Sequence, residues 1–200
     1  MTAPSSTAAL CLAAILTALV SSAAAQVTPA PGAPLAGVCV YSEEMTLSQT
    51  QSGLSANQQL ARLQQSVTAE LKTTNDALIS EARALEARKA TTPAAQYEQS
   101  AAALQRRARD QDALTRTRND QLLRTRDDAA AKIAAAAVPA LNASLTAHRC
   151  AIVLDKGRVY SVNPAMDLTP EVIQKVNATL PTIIVQLAPP PKIPDERGRR

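Results

Sequence analysis

The sequence predicts an α+β fold that is mostly α, in which a small β-strand body carries one long antiparallel helical coiled-coil hairpin. Three observations lead there. The 200 residues contain no Trp, no Phe and three Tyr, yet 46% are apolar, much of that Ala. Such a chain buries little area per residue, which suits long, thin helices better than a thick core. From Thr46 to Arg149 strong helix formers dominate and Gly53 is the only Gly. Short β-branched segments flank that stretch at both ends.

The elements follow in chain order. The apolar run Ala8 to Val20 is shorter than the roughly 20 residues that span a bilayer, and it leads into Ser21-Ser22-Ala23-Ala24-Ala25, a small-residue cleavage context. Residues 1–25 therefore read as a cleaved signal peptide, with the N-terminal amine as the charge ahead of the run. Cys11 lies inside the run, which continues well past it, so it is not a lipid anchor. Residues 26–36, with three Pro and a Gly, form a flexible leader. Gly37 to Tyr41 is expected as a strand, placing a domain at 37–187 whose body takes 37–46 and 150–187 and whose hairpin takes 47–149.

Leu60, Leu63, Val67, Leu71, Leu78 and Leu85 recur at steps of three, four and seven and mark one narrow apolar face, interrupted at Thr74 and Glu81. The reversal is expected at the tip, residues 91–93, with Pro93 in the first turn of the returning helix and Thr92 as its cap. Tyr97, Leu104, Leu122, Ala129, Ile133, Leu141 and Leu145 line the descending arm, where Pro139 should kink it. Each arm would reach about 60 Å. Beyond it, Cys150 to Leu154 reads as a strand, Asp155-Lys156-Gly157 as a turn and Arg158 to Val162 as the hairpin partner. Thr169 is expected to cap a short helix with Pro170 at its first position, an apolar face of Val172, Ile173, Val176 and Leu180, and Pro181 as its stop. Ile183 to Val185 would add an edge strand, and residues 188–200 a disordered tail.

Chemistry is sparse. His148 is the only His, which rules out a multi-His metal site within one chain; it is expected to end the descending helix, where a cation suits the dipole. Glu43-Glu44 and Asp127-Asp128 are neighbours in sequence and do not share a helix face. No catalytic residue, metal site or cofactor is expected.

Charge is more informative. Between positions 83 and 126 ten basic residues face five acidic ones, a net +5 on the outer hairpin against +4 for the whole chain. Arg83, Arg88, Lys89, Arg106, Arg107 and Arg109 read either as an ordinary salt-bridged helix face or as an attractant for acidic unfolded polypeptides or an anionic lipid surface. Leu78, Leu85, Tyr97 and Leu104 would supply apolar contacts beside them. Nucleic acid is disfavoured by export and by the lack of stacking aromatics.

Once the signal is removed, Cys39 and Cys150 remain, one at each root of the hairpin. They are expected to pair in an oxidising compartment, the alternative being two free thiols packed in a core. So small a body under two long arms also calls for further copies of the chain.

Two stretches resemble a known family. Ile152-Val153-Leu154-Asp155 through Val159-Tyr160, then Asn163-Pro164-Ala165-Met166-Asp167-Leu168-Thr169, Val172-Ile173 and Asn177, is similar to the closing signature of the Skp/OmpH family of periplasmic chaperones. Gly37 to Tyr41 with Leu47-Ser48-Gln49 is similar to its opening strand and turn. The resemblance spans about residues 37–180 and assigns the extension after Leu180 no role. It implies a non-enzymatic homotrimer whose strands share a barrel and whose three hairpins enclose unfolded outer-membrane β-barrel proteins without ATP. The alternative is a structural periplasmic coiled-coil adaptor, which would need lipoyl-like and barrel segments for which this chain has no room.

Overall fold

The computed structural model describes residues 32–191, so the signal-peptide reading of 1–25, most of the leader and residues 192–200 of the tail lie outside it. The order is β1 (Val38–Tyr41), α1 (Glu43–Gln49), α2 (Gln51–Ala87), α3 (Ala94–Ala147), β2 (Ile152–Asp155), two short 3-10 turns (Lys156–Arg158 and Pro164–Met166) and α4 (Thr169–Thr179).

The helical arms dominate. α2 has 37 residues and α3 has 54, about 55 and 80 Å of helix at the standard rise. Glu70 pairs with Arg118, Glu81 with Arg107 and Glu86 with Tyr97, so partner numbers fall along α3 as they rise along α2, and the helices run side by side in opposite directions. The predicted leucine face of α2 is its covered side, with Val67 and Leu78 buried and Leu60, Leu63, Leu71 and Leu85 half-buried. The buried stripe of α3 is smaller in side chain than predicted: Gln121, Thr125, Ala129, Ile133, Ala137, Ala140 and Ser144, at steps of three and four. Pro139 lies within an unbroken α3; the carbonyl of Ala135, which loses its helical partner there, sits in an exposed turn.

The ascending arm is not one helix. Thr50 is extended (φ −64°, ψ 153°) and separates α1 from α2, and its Oγ1 accepts the Gly53 N–H at 3.1 Å, capping the second helix. Gly53 is required there, because a Cβ would stand 2.0 Å from the Leu47 carbonyl oxygen. At the tip, Pro93 is itself the N-cap of α3 rather than a first-turn residue. Thr92, expected to cap, instead donates its hydroxyl to the Arg88 carbonyl at 2.7 Å. α3 ends with His148 at its C-cap and Arg149 in the left-handed region (φ 53°). The Arg149 N–H bonds Thr146 O and the Cys150 N–H bonds Leu145 O, which closes the helix with a Schellman motif.

The expected hairpin of 150–154 with 158–162 does not form. β2 pairs in parallel with β1, Val38 opposite Ile152 through Tyr41 opposite Asp155. Both strands point the same way because the whole helical excursion lies between them, as a parallel crossover requires. Asp155 Oδ1 accepts the Gly157 N–H and starts a 3-10 turn, and Gly157 does not adopt the positive φ that a tight two-residue hairpin needs. Residues 159–162 then run unpaired, and Tyr160 is 97% exposed. On its other side β1 is bridged at Val40 to Asp167, which leaves Cys39 and Val40 buried in the middle.

α4 closes the root. Val172 and Val176 are fully buried and, with half-buried Leu180, pack with Ala137, Ala140, Leu168 and Cys39, while Ile173 is half-buried outside that cluster. Thr169 starts α4 rather than capping it. Asp167 Oδ1 accepts its N–H, and its own hydroxyl accepts the Ser42 N–H at 3.0 Å, tying α4 to the start of α1. Asn177 Oδ1 accepts the Gln51 N–H at 2.7 Å at the start of α2. Residues 183–185 are not a strand: they belong to an extended strap continuing to 191. Ala188, placed with the disordered tail above, is buried in that strap.

Candidate functional site

Two surfaces stand out, one on the outer hairpin and one at the root. The outer one is a groove of about 500 Å³ between α2 and α3, whose lining includes Leu78, Leu85, Tyr97 and Leu104. The four apolar residues singled out from sequence therefore meet in one place. They do so because the leucine face of α2 and the start of α3 face each other toward the tip, where Ala82, Ala101 and Ala108 are among the lining residues and leave space open. Tyr97 donates to Glu86 at 2.8 Å and lies under Lys89, whose Nζ is 5.6 Å from the ring centre. Hydrogen bonds from Tyr97, then from Lys89, hold Glu86 below its ordinary value.

The six basic candidates divide. Arg107 grips Glu81 with both terminal nitrogens, and Lys89 pairs with Glu86 at 3.4 Å. Arg88 donates Nε to the Ala84 carbonyl, and among the described residues Arg83, Arg88, Arg106 and Arg109 form no ion pair. Farther in, Arg118 holds Glu70 through two hydrogen bonds and keeps that carboxyl below its ordinary value.

At the root, a larger cavity of about 1060 Å³ opens between α1, α2, α3 and β2, lined in part by Leu47, Leu60, Ile133, Val153 and Leu154. β2 is exposed along its whole length, with Ile152 at 55%. A polar network knits α4 to α3. Lys175 and Ser144 both donate to Glu171 Oε1, at 2.7 and 2.9 Å, and His148 Nε2 stands 2.8 Å from Oε2. The bonds from Lys175, His148 and Ser144 together lower the Glu171 carboxyl to about 2. Burial pushes Asp167 up, but hydrogen bonds from Lys156 and Thr169 outweigh it and leave that carboxyl below its ordinary value. Cys39 and Cys150 meet sulfur to sulfur with Cα atoms 5.7 Å apart, joining β1 to the end of α3. Among the described residues no group of three or more His, Cys, Asp or Glu is placed to hold a metal ion.

Sequence reasoning passed over Gln59, Gln121 and Thr125, which bind the main chain of the strap. A signal was present: Gln121 and Thr125 fall in step with Ala129 and Ile133, polar residues at positions the helical period assigns to the core.

Fold and surfaces define a class of protein, a helical hairpin rooted in a small parallel sheet and offering side-chain surface along its arms. The chain belongs to the OmpH-like outer membrane protein family, whose profile matches residues 37–176. It is also similar to a crystal structure of a candidate OmpH-like outer membrane chaperone from Caulobacter crescentus CB15. That match has 28% identity and a TM-score of 0.74, and it covers 82% of this chain and 97% of the other. No curated protein matches the sequence.

Proposed function

We propose that the chain is an ATP-independent holding chaperone that binds unfolded outer-membrane β-barrel proteins in the periplasm and prevents their aggregation, after export by a signal peptide at residues 1–25. One observation carries the reading furthest. The outer hairpin presents an apolar groove lined by Leu78, Leu85, Tyr97 and Leu104, and on the outer parts of α2 and α3 Arg83, Arg88, Arg106 and Arg109 form no ion pair among the described residues. Apolar contacts in such a groove hold a client, while charge speeds its arrival. Family membership and the likeness to a candidate chaperone support the same reading.

The working unit is a homotrimer. Ile152, Val153 and Leu154 on β2 are apolar and exposed beside an open strand edge, a surface that a second copy of the chain would cover. Cys39 and Cys150 form a disulfide in the mature protein. An anionic lipid surface would meet the same free arginines.

The test is direct. The mature protein, without nucleotide, is mixed with a urea-unfolded outer-membrane β-barrel protein as the urea is diluted, and light scattering is followed. Suppression near one trimer per client is expected; unchanged aggregation would contradict the reading. Sedimentation at low micromolar concentration should give a trimer, and a well-folded monomer would overturn that assignment. Full thiol labelling of the unreduced, unfolded protein would exclude the disulfide.

A further inference from the structure

The strap after α4 is held in an unusual way. Gln59 on α2 donates Nε2 to the Ile183 carbonyl at 2.8 Å and accepts the Val185 N–H at 3.0 Å. Thus one side-chain amide engages residues i and i+2, as a neighbouring strand would. On α3, Thr125 accepts the Ala188 N–H at 2.8 Å, Gln121 donates to the Ala188 carbonyl and Arg124 donates to the Pro189 carbonyl at 2.8 Å. Five main-chain groups of the strap are therefore read by side chains of the arms. Of its own side chains only Ile183 and Ala188 are buried, Ile183 against Ala56, Ala129 and Ile133, while Ile184 is 74% exposed.

We propose that this inner groove of α2 and α3 is a binding site for an extended apolar polypeptide segment, which residues 182–189 occupy in the resting chain and a client segment takes over by displacing them. Main-chain hydrogen-bonding groups are common to every polypeptide. A groove that recognises them, and fully buries side chains at only two positions with Val185 half-buried beside them, accepts many sequences in extended form. Gln121 and Thr125 are buried while the strap is seated, and each would give up its main-chain partner for water if the strap left. The tether gives the strap an effective concentration of about millimolar, so only clients that engage the rest of the molecule as well would displace it. The displacement step rests on the chaperone reading; the existence of the groove does not.

The probe is a dye-labelled peptide with the strap's own sequence, residues 181–191, added to three full-length proteins. In Ile183→Asp the strap loses its buried anchor. In Ser55→Cys/Thr182→Cys, whose native hydroxyls lie 3.3 Å apart, oxidation fixes the strap in place. The peptide should bind Ile183→Asp about tenfold or more tightly than the unmodified chain, as expected when a competing state is removed, and it should not bind the locked form. Adding Gln59→Ala to Ile183→Asp should abolish binding. Equal affinity for all three, or no binding to an Ile183→Asp protein of normal helix content, would overturn the proposal.

Should Ile183→Asp lose helix content, hydrogen exchange in the unmodified chain decides. The amides of Val185 and Ala188 should exchange faster once a urea-unfolded β-barrel protein is bound, and unchanged exchange with client bound would overturn the proposal. Failure to bind that client at all would count against the chaperone reading instead, and the comparison of peptide affinity for the unmodified and locked chains would then settle the groove on its own.

Discussion

The root and the outer hairpin are made from the same two helices, yet they are built on different principles. At the root, α3 buries Ala129, Ile133, Ala137 and Ala140 in step, α4 adds Val172 and Val176, and polar groups are tied across elements by Thr169, Asn177 and Glu171. Beyond Leu71, the buried residues are only Leu78 on α2 and Gln111 on α3, and the arms are joined there mainly by exposed pairs such as Glu81 with Arg107. Exposed pairs contribute roughly 0–1 kcal/mol each, so the outer arms should open locally far more often than the root. The difference teaches where packing is concentrated and where it is sparse. The root holds the molecule together, and the hairpin keeps apolar surface uncovered.

The comparison can be broken in several ways, the largest effect first. Replacing both Cys39 and Cys150 by Ser should lower stability by up to about 4 kcal/mol in a urea titration, because the bond spans a sequence separation of 111; α2 and α3 already restrain that loop, so less is expected than for a free one. Gly53→Ala should cost about 2–3 kcal/mol, since its methyl meets the Leu47 carbonyl and the Thr50 turn must open. A Gly-free site on the outer arm, such as Ser80→Ala, should change stability by less than about 0.5 kcal/mol under the same titration.

Acid should weaken the polar network at the root. Glu171 is held at about 2, below its ordinary value of 4.5, by Lys175, His148 and Ser144. A depressed carboxylate stabilises the folded state fully above its ordinary value, and that contribution is lost as the pH falls from about 5 toward 2. Thermal midpoints across that window should fall less steeply in Glu171→Gln than in the unmodified protein; identical slopes would show that this network does not govern the acid response. Arg149→Gly should stabilise slightly, by about 0.5–1 kcal/mol, because a left-handed residue with a side chain costs more than Gly there even after the entropy of Gly is counted. Replacing Arg83, Arg88, Arg106 and Arg109 by Gln should leave stability within about 0.5 kcal/mol, yet slow client capture about tenfold at low salt, a difference that should vanish near 1 M salt where screening acts within about 3 Å.

The legible parts of the fold were those with a local period. The leucine steps from Leu60 to Leu85 named the covered face of α2, and Val172 and Val176 that of α4. Strand pairing was legible only in part. The expected Cys39–Cys150 pair brings the two flanking strands together, but nothing near Asp155-Lys156-Gly157 records that β1, more than a hundred residues upstream, takes the place of residues 158–162 beside β2. The break at Thr50 was marked by Gly53, whose role depends on a carbonyl six residues earlier. On the candidate site, Leu78, Leu85, Tyr97 and Leu104 were found because apolar residues on facing helices converge, whereas the arginines could not be sorted without knowing that Glu81 faces Arg107 across the arms. The strap escaped because the groups it offers are main chain, which carries no sequence pattern; the trace lay on α3, where Gln121 and Thr125 stand in step with Ala129 and Ile133.

The proposed division between a holding root and a binding hairpin is tested most directly by amide exchange along the full chain, alone and with a urea-unfolded β-barrel protein captured. In the free protein, amides of residues 75–112 should exchange orders of magnitude faster than those of residues 129–144 and 172–176. Capture should slow exchange in 75–112 and leave 172–176 unchanged. Protection gained only at the root, with the outer arms unaffected by a bound client, would contradict the account.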